Sequence, residues 1–203
     1  MLLDGPHLVN DALAAQVPMT LAVVDHQALD RREDLGQLVR RLEDAGVEVV
    51  VATAPVMTAV SPVRSPSAIV ALAPRPATSA ARLFVTSTPT PSTGSAARGL
   101  SLSRPLVVIA CDVQEPGNLG AMVRVAEAAG ATGLIAAGRS ADPFGWKALR
   151  GSMGSALRLP ILAQSAGEAL QTARAYHCTI AAAVPEGGGT PEGTDLTGPT
   201  ALL

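Results

Sequence analysis

The chain has 203 residues, of which 48% are apolar and 16% are charged. This apolar content is enough for a hydrophobic core and argues against a wholly disordered chain. The net charge of −2 and the aromatic content of 2% exclude a strongly basic nucleic-acid arm and a binding mode that depends mainly on stacking bases on aromatic rings.

The cysteines and histidines do not form a metal-binding pattern, so we predict no metal site. Cys111 and Cys178 lie in apolar runs, which is typical of small core residues. The histidines are scattered, at His7, His26 and His177. No apolar run reaches the roughly 18 residues of a membrane span, and Asp4 interrupts any signal peptide, so we expect a soluble, cytoplasmic protein without a membrane segment.

The first 75 residues predict one small α/β unit. In chain order its predicted elements are a helix over 7–15, a strand over 20–24, a helix from Asp30 to Gly46, and buried strands over 47–52 and 68–73. The second helix has a capping-box-like start, Asp30 with Glu33, and apolar residues at i, i+3, i+4 and i+7.

Residues 76–104 have a different composition, rich in Pro, Ser, Thr, Gly and Ala without a helical period. Such a segment predicts a linker, and we place the domain boundary in it. Within it, Leu83–Thr86 favours a short edge strand.

From Pro105 onward, strands and helices alternate. The predicted strands are 106–111, 132–136, 159–163, 179–184 and a last apolar segment at 201–203. The predicted helices are 118–129, one starting at Asp142-Pro143, and one from Ser165, in a capping box with Glu168, to about Tyr176. This alternation predicts a mostly parallel sheet with right-handed crossovers.

The segment DVQEPGNLGAMVRVAEAAG, residues 112–130, joins a strand to a helix, which is where open α/β sheets bind ligands. Asn118 is a candidate cap that leaves helix N–H groups for an anion. Gly120 and Arg124 are four residues apart, so they share a helix face, and we expect a polar ligand beside them. One alternative is a surface arginine on an ordinary amphipathic helix. The other is a dinucleotide-binding site, but GNLG does not match the G-x-G-x-x-G pattern of such sites.

The segment DPFGWKALRGSMGSALRLPI, residues 142–161, combines three cations with small polar residues. The cations are Lys147, Arg150 and Arg158, and Ser152 lies between them. This combination suits contact with a phosphate backbone. The alternative is a solvated cationic face.

Two segments resemble signatures of the SpoU-type (TrmH-like) RNA ribose methyltransferases of the SPOUT superfamily. DVQEPGNLGAMVRVAEAAGATGLI is similar to the first signature, and KALRGSMGSALRLPI to the second. The stretches LLDGPHLVNDAL and AVSPVRSPSAIVALAPRP resemble the small α/β substrate-binding domain of many members. The resemblance implies an RNA substrate-binding domain at 1–75, a linker at 76–104 and a SPOUT-type parallel-sheet α/β methyltransferase domain at 105–203.

The resemblance implies methyl transfer from S-adenosylmethionine to a ribose 2′-hydroxyl of rRNA or tRNA, and a homodimer in the full-length form. Arg124 and Asn118 are the implied catalytic residues. The implied cofactor-binding residues are Ala183, Val184 and Pro185. The implied RNA-binding residues are Lys147, Arg150, Ser152 and Arg64.

The family's third signature, a Gly/Glu-rich turn followed by an SLN-like segment, is absent before Leu203. We therefore expect a methyltransferase domain whose trefoil-knot region is missing or incomplete. A catalytically silent RNA-binding module of the same fold is the main alternative, and a nucleotide-dependent oxidoreductase is a weaker one.

Overall fold

The computed structural model describes residues 1–84 and 104–203. In chain order its elements are β1 (Leu2–Asp4), α1 (Pro6–Ala14), β2 (Leu21–Asp25), α2 (His26–Arg31), α3 (Glu33–Asp44), β3 (Glu48–Ala52), α4 (Ala54–Val60), β4 (Ile69–Leu72), α5 (Ala80–Phe84), β5 (Leu106–Cys111), α6 (Pro116–Ala128), β6 (Gly133–Ala137), α7 (Trp146–Ser152), β7 (Ile161–Gln164), α8 (Ala166–Ala175), β8 (Thr179–Ala181) and β9 (Thr200–Leu202). The alternation of these elements confirms the predicted α/β class.

The chain forms two compact units that interleave along the sequence. The first unit contains Met1–Ala77, Glu115–Arg124 and Ala141–Arg158, and the second contains Thr78–Gln114, Val125–Ser140 and Leu159–Leu203. The predicted division at 75 and 105 stays a prediction, and most of the predicted linker 76–104 lies outside the described residues.

The first unit has a four-stranded mixed sheet in the order β1-β4-β2-β3. Strand β4 runs antiparallel to both β1 and β2, whereas β2 and β3 are parallel. Helix α3 buries the four apolar residues that the helical spacing predicts, Leu35, Leu38, Val39 and Leu42. The amphipathic helix is therefore confirmed.

Two expectations for the first unit are wrong. Asp30 lies inside α2, and it is Asp25 that caps this helix by accepting the Ala28 N–H at 2.8 Å. Strand β3 was expected to be buried, yet Val50 and Val51 are 42% and 55% exposed. Because β3 pairs with β2 alone among the described strands, it is an edge strand, and its β-branched residues reflect strand propensity rather than burial.

The second unit has a five-stranded sheet in the order β7-β6-β5-β9-β8, and every pair in it is parallel. The predicted parallel sheet is confirmed. Its core includes Val107, Ile109, Ile135 and residues of α5 and α8. In chain order β9 comes last, but it lies between β5 and β8.

Helix α5 replaces the predicted edge strand at Leu83–Thr86, as far as that stretch is described. Leu83 is fully buried, and it packs against Gly133, where a Cβ would lie 2.4 Å from Leu83 Cγ. Phe84 stacks on Tyr176 with ring centroids 4.6 Å apart. A helical turn therefore allows the adjacent residues Leu83 and Phe84 to be buried against different neighbours, Gly133 and Tyr176.

The capping box at the start of α8 is confirmed, with Ser165 Oγ accepting the Glu168 N–H and Glu168 Oε2 accepting the Ser165 N–H. We expect Ser165→Ala to lower the free energy of unfolding by about 1 kcal/mol. Urea unfolding followed by circular dichroism measures this change. An unchanged midpoint for Ser165→Ala would contradict the cap's role.

The same motif makes stability depend on pH. The hydrogen bond from Ser165 holds the pKa of Glu168 below its usual range. A carboxyl whose pKa is lower in the folded state stabilises the fold above its unfolded pKa, and this contribution is lost as the pH falls through the folded value. We therefore expect the stability difference between wild type and Glu168→Gln to shrink from about pH 7 to about pH 3.

Candidate active site and RNA-binding surface

Helices α6 and α7 approach each other through glycine. Gly120 is buried, and a Cβ on it would lie 2.4 Å from the Ala148 carbonyl oxygen and 2.9 Å from the Gly151 carbonyl carbon. A Cβ on Gly151 would in turn lie 3.1 Å from the Gly117 oxygen. The expectation of a polar ligand beside Gly120 is therefore wrong, because the α7 backbone fills that space.

Asn118 is exposed, but it does not cap α6. Glu115 precedes the helix, and its Oε2 accepts the Asn118 N–H at 2.7 Å. Gly117 leaves room for this carboxylate, since a Cβ there would lie 2.8 Å from the same oxygen. The cap is thus Glu115, and the Asn118 amide side chain is not used for capping.

Arg124 is exposed, and its Nη1 contacts Met153 Sδ at 2.9 Å. Met153 follows α7 directly with a φ of 50° and is 65% exposed. Leu119 and Val123 on the same helix are fully buried, which confirms that Arg124 lies off the apolar stripe. A guanidinium has five N–H donors in a planar fork, so most of them remain available to a ligand.

Lys147 and Ser152 lie on α7 in opposite environments. Lys147 is exposed, with Nζ 5.5 Å from the centroid of the Trp146 ring. Ser152 is fully buried, and its Oγ donates to the Leu149 oxygen at 2.8 Å and accepts the Ala156 N–H at 3.3 Å. The predicted RNA contact by Ser152 is therefore wrong; its hydroxyl stabilises the end of α7.

Helix α7 also begins later than expected. The structure starts it at Trp146, not at Asp142-Pro143. Asp142 Oδ1 accepts the Phe144 N–H at 3.0 Å, and this local bond stabilises a turn before the helix.

Arg150 pairs with Asp4, a residue for which the sequence predicted no function. Its Nη1 lies 3.3 Å from Oδ2 of Asp4, whose side chain is fully buried. Both residues line a cleft of about 520 Å³, together with Gly5, Pro6, His7, Leu8, Asp11, Ser67, Leu149, Met153 and Gly154. In the sequence, the one indication of a role for Asp4 is that an acidic residue lies in an otherwise apolar start of the chain.

Arg64 is exposed in the segment 61–68, between α4 and β4. Ser67 of this segment lines the cleft described above. The structure therefore places the predicted loop arginine three residues from a cleft residue.

In the second unit, the carboxyl ends of β5 and β6 are joined by side chains. Asp112 has a φ of 55°, and its Oδ1 accepts the Arg139 N–H at 2.7 Å. Gly138 has a φ of 64°, and a Cβ on it would lie 2.6 Å from the same oxygen. Ser140 Oγ accepts the Val113 N–H at 3.0 Å. These bonds fix the point at which the first signature leaves the sheet.

The segment Ala183, Val184 and Pro185 follows β8 and is exposed. The Ala183 N–H donates to the Leu203 oxygen at 2.6 Å, and Val184 is 55% exposed. Exposed apolar side chains at the carboxyl ends of parallel strands suit the apolar face of an adenine.

One of the two cysteine predictions is confirmed. Cys178 is buried, and burial raises the pKa of its thiol. Cys111 is exposed at the end of β5, so its prediction as a core residue is wrong.

Within residues 1–84 and 104–203, no cluster of three or more metal-ligating side chains is found, and no helix is long and apolar enough to cross a membrane.

A protein-family model described as the SpoU rRNA Methylase family matches residues 105–203. The C-terminal part of the chain is therefore similar to that family. This match supports the interpretation of the two signatures. It also argues against the nucleotide-dependent oxidoreductase alternative.

Two curated relatives match shorter stretches. The 23S rRNA (guanosine(2553)-2′-O)-methyltransferase RlmP of Bacillus subtilis is 44% identical over 50 residues, which is 25% of this chain and 20% of the relative. The 23S rRNA (uridine(2479)-2′-O)-methyltransferase of Streptomyces viridochromogenes is 46% identical over 56 residues, 27% of this chain and 20% of the relative. The matches thus span a fifth of the length of each relative.

The likeness to solved structures covers the whole chain. The SpoU methyltransferase AviRb of Streptomyces viridochromogenes, in complex with the cofactor AdoMet, is 25% identical with a TM-score of 0.75, and the match covers 100% of this chain and 71% of AviRb. The α/β fold with a SPOUT-type parallel sheet is thereby confirmed.

Proposed function

We propose that the chain is an S-adenosylmethionine-dependent methyltransferase that modifies a ribose 2′-hydroxyl of RNA, with rRNA as the first candidate. The observation that carries the proposal is Arg124, which lies in the segment similar to the first SpoU signature. It is exposed on α6, off the apolar stripe, and contacts Met153 at the end of α7. The two curated relatives are named as 23S rRNA 2′-O-methyltransferases, which favours rRNA over tRNA.

Arg124 acts by electrostatic positioning in this proposal. An arginine does not lose its proton at neutral pH, so it is a poor general base. Its planar fork suits a ribose oxygen and an adjacent phosphate, and it stabilises the negative charge that develops on the hydroxyl oxygen. The exposed Asn118 amide both donates and accepts hydrogen bonds, which suits a ribose.

Ala183, Val184 and Pro185 would hold the adenosine part of the cofactor through apolar contact and backbone groups. Their exposure at the strand ends fits this role. S-adenosylmethionine supplies the methyl group when bound. AviRb, a structural relative, is described in complex with AdoMet.

The test is transfer of tritium from labelled S-adenosylmethionine to unmodified transcripts of 23S rRNA and tRNA. Label on rRNA, located at a ribose by nuclease digestion, supports the proposal. RNA binding without label on any transcript would instead support the catalytically silent RNA-binding module.

Arg64 is proposed to contact structured RNA from the loop before β4. We expect Arg64→Glu to weaken binding to 23S rRNA about tenfold and to leave cofactor affinity unchanged. Filter binding at two salt concentrations and calorimetry with S-adenosylmethionine measure these. Arg40→Glu, at an exposed site on α3, is the control. Equal RNA affinity of Arg64→Glu and wild type would show that Arg64 is a solvated turn residue.

The homodimer and the cytoplasmic location stay predictions. The Ala- and Gly-rich helices of the methyltransferase segment favour close helix packing between two copies. We expect the dimer mass in sedimentation equilibrium at micromolar concentrations. A monomer across that whole range would contradict the homodimer.

A further inference from the structure

The cleft that Asp4 and Arg150 line contains a buried carboxylate that the two signatures do not explain. The Asp4 side chain has no exposed surface, and its Oδ1 has no hydrogen-bond partner among the residues that the structure describes. Its Oδ2 pairs with Arg150 alone, as far as the described part of the chain shows. A buried charge that is incompletely paired is weak evidence for stability, since apolar replacements of such pairs are often neutral or stabilising. The pair therefore points to function.

Arg150 connects this buried carboxylate to the surface. Its side chain is 49% exposed, and one N–H group of the guanidinium faces Asp4. The remaining donors are available to a ligand in the cleft. An arginine that is held at one end loses less conformational entropy when it binds a second partner.

A second feature of the cleft favours an anion. Gly5, Pro6, His7 and Leu8 line it at the start of α1, a nine-residue helix whose first turn has no side-chain cap. The free N–H groups and partial positive charge of a helix start attract phosphate. Met153, which also lines the cleft, contacts Arg124. Met153 therefore links the cleft to Arg124, the residue that carries the proposed function.

We propose that this cleft binds a phosphodiester group of the substrate RNA and that Asp4 is the positioning residue that orients Arg150 toward it. The proposal rests on the proposed function, because it takes RNA as the substrate. Asp4 touches no substrate atom and acts through Arg150 alone.

The test is a double-mutant cycle on RNA affinity with the full chain, using filter binding to an unmodified 23S rRNA transcript. We expect Arg150→Ala to weaken binding about tenfold and to lower the salt slope by about one phosphate contact. We expect Asp4→Asn to weaken binding about fivefold, although loss of a negative charge by itself favours RNA binding. In the Arg150→Ala background, Asp4→Asn is expected to have no further effect.

Asp34→Asn is the matched control, because Asp34 also pairs with an arginine, Arg32, at 2.6 Å, but both side chains are exposed. It is expected to bind RNA at least as tightly as wild type. If Asp4→Asn does not fold, as judged by circular dichroism, Arg150→Lys decides, since it keeps the charge and loses the planar fork. We expect Arg150→Lys to bind more weakly than wild type.

Wild-type affinity in Asp4→Asn, or an equal loss in both backgrounds, would overturn the positioning role. Wild-type affinity in Arg150→Ala would overturn the cleft as an RNA site. These outcomes are separate from the proposed function, which fails if the wild-type chain transfers no methyl group to any transcript while the affinity cycle still gives a result.

Discussion

Replacing Arg124 with alanine is expected to lower the rate of methyl transfer by about 10²–10³-fold, the cost typical of removing one preorganised donor from a developing negative charge. Cofactor affinity is expected to stay unchanged, because the proposed role of Arg124 is at the ribose. The variant should also fold normally, within about 0.5 kcal/mol of wild type, since Arg124 is exposed.

Tritium transfer to 23S rRNA, beside calorimetric titration with S-adenosylmethionine, measures both quantities. Arg40→Ala removes an exposed helical arginine outside the proposed site and is expected to transfer methyl groups at the wild-type rate. Arg124→Lys keeps the charge without the fork and should show an intermediate rate. Wild-type transfer by Arg124→Ala would rule out the proposed role.

Gly120→Ala is expected to lower the free energy of unfolding by about 2–3 kcal/mol. The new methyl group would overlap backbone atoms of α7, among them the Ala148 oxygen at 2.4 Å, and backbone cannot rotate away as a side chain can. Because Arg150 lies on the displaced helix, RNA affinity should also fall.

Gly36→Ala is the matched control for this helix substitution. Gly36 lies inside α3, and a Cβ on it would meet no atom within 4 Å. Alanine at such a position is expected to stabilise the fold by about 0.5–1 kcal/mol. Urea unfolding of both variants gives the comparison, and equal stabilities would show that α6 and α7 do not pack as closely as the structure indicates.

Local patterns predicted much of the fold. The apolar spacing of α3 and the capping box of α8 involve residues three or four apart, and β5 begins and ends where its apolar run does. Strand β1 and helix α4 were missed because one is only three residues long and the other contains a proline and β-branched residues.

The sequence predicted the candidate site less well than the fold, because the residues that form the site are far apart in the sequence. Asp4 and Arg150 are 146 positions apart in the sequence, so no local sequence pattern predicts their contact. Gly120 shows the opposite problem: a small residue on a polar helix face suggests open space, whereas in the fold it admits another backbone. Ser152 was chosen for its chemistry, and burial removes it from the surface.

The position of β9 in the second sheet has a consequence for the order of folding. β9 separates β5 from β8, and its pairing brings Leu106 beside Thr200. Until β9 has been synthesised and inserted, β8 has no neighbour in the described sheet, so β7, β6 and β5 can assemble first and β8 must wait. Since long-range parallel pairing is slow, we expect the rate-limiting step in refolding to be the insertion of β9, an interior strand, between β5 and β8.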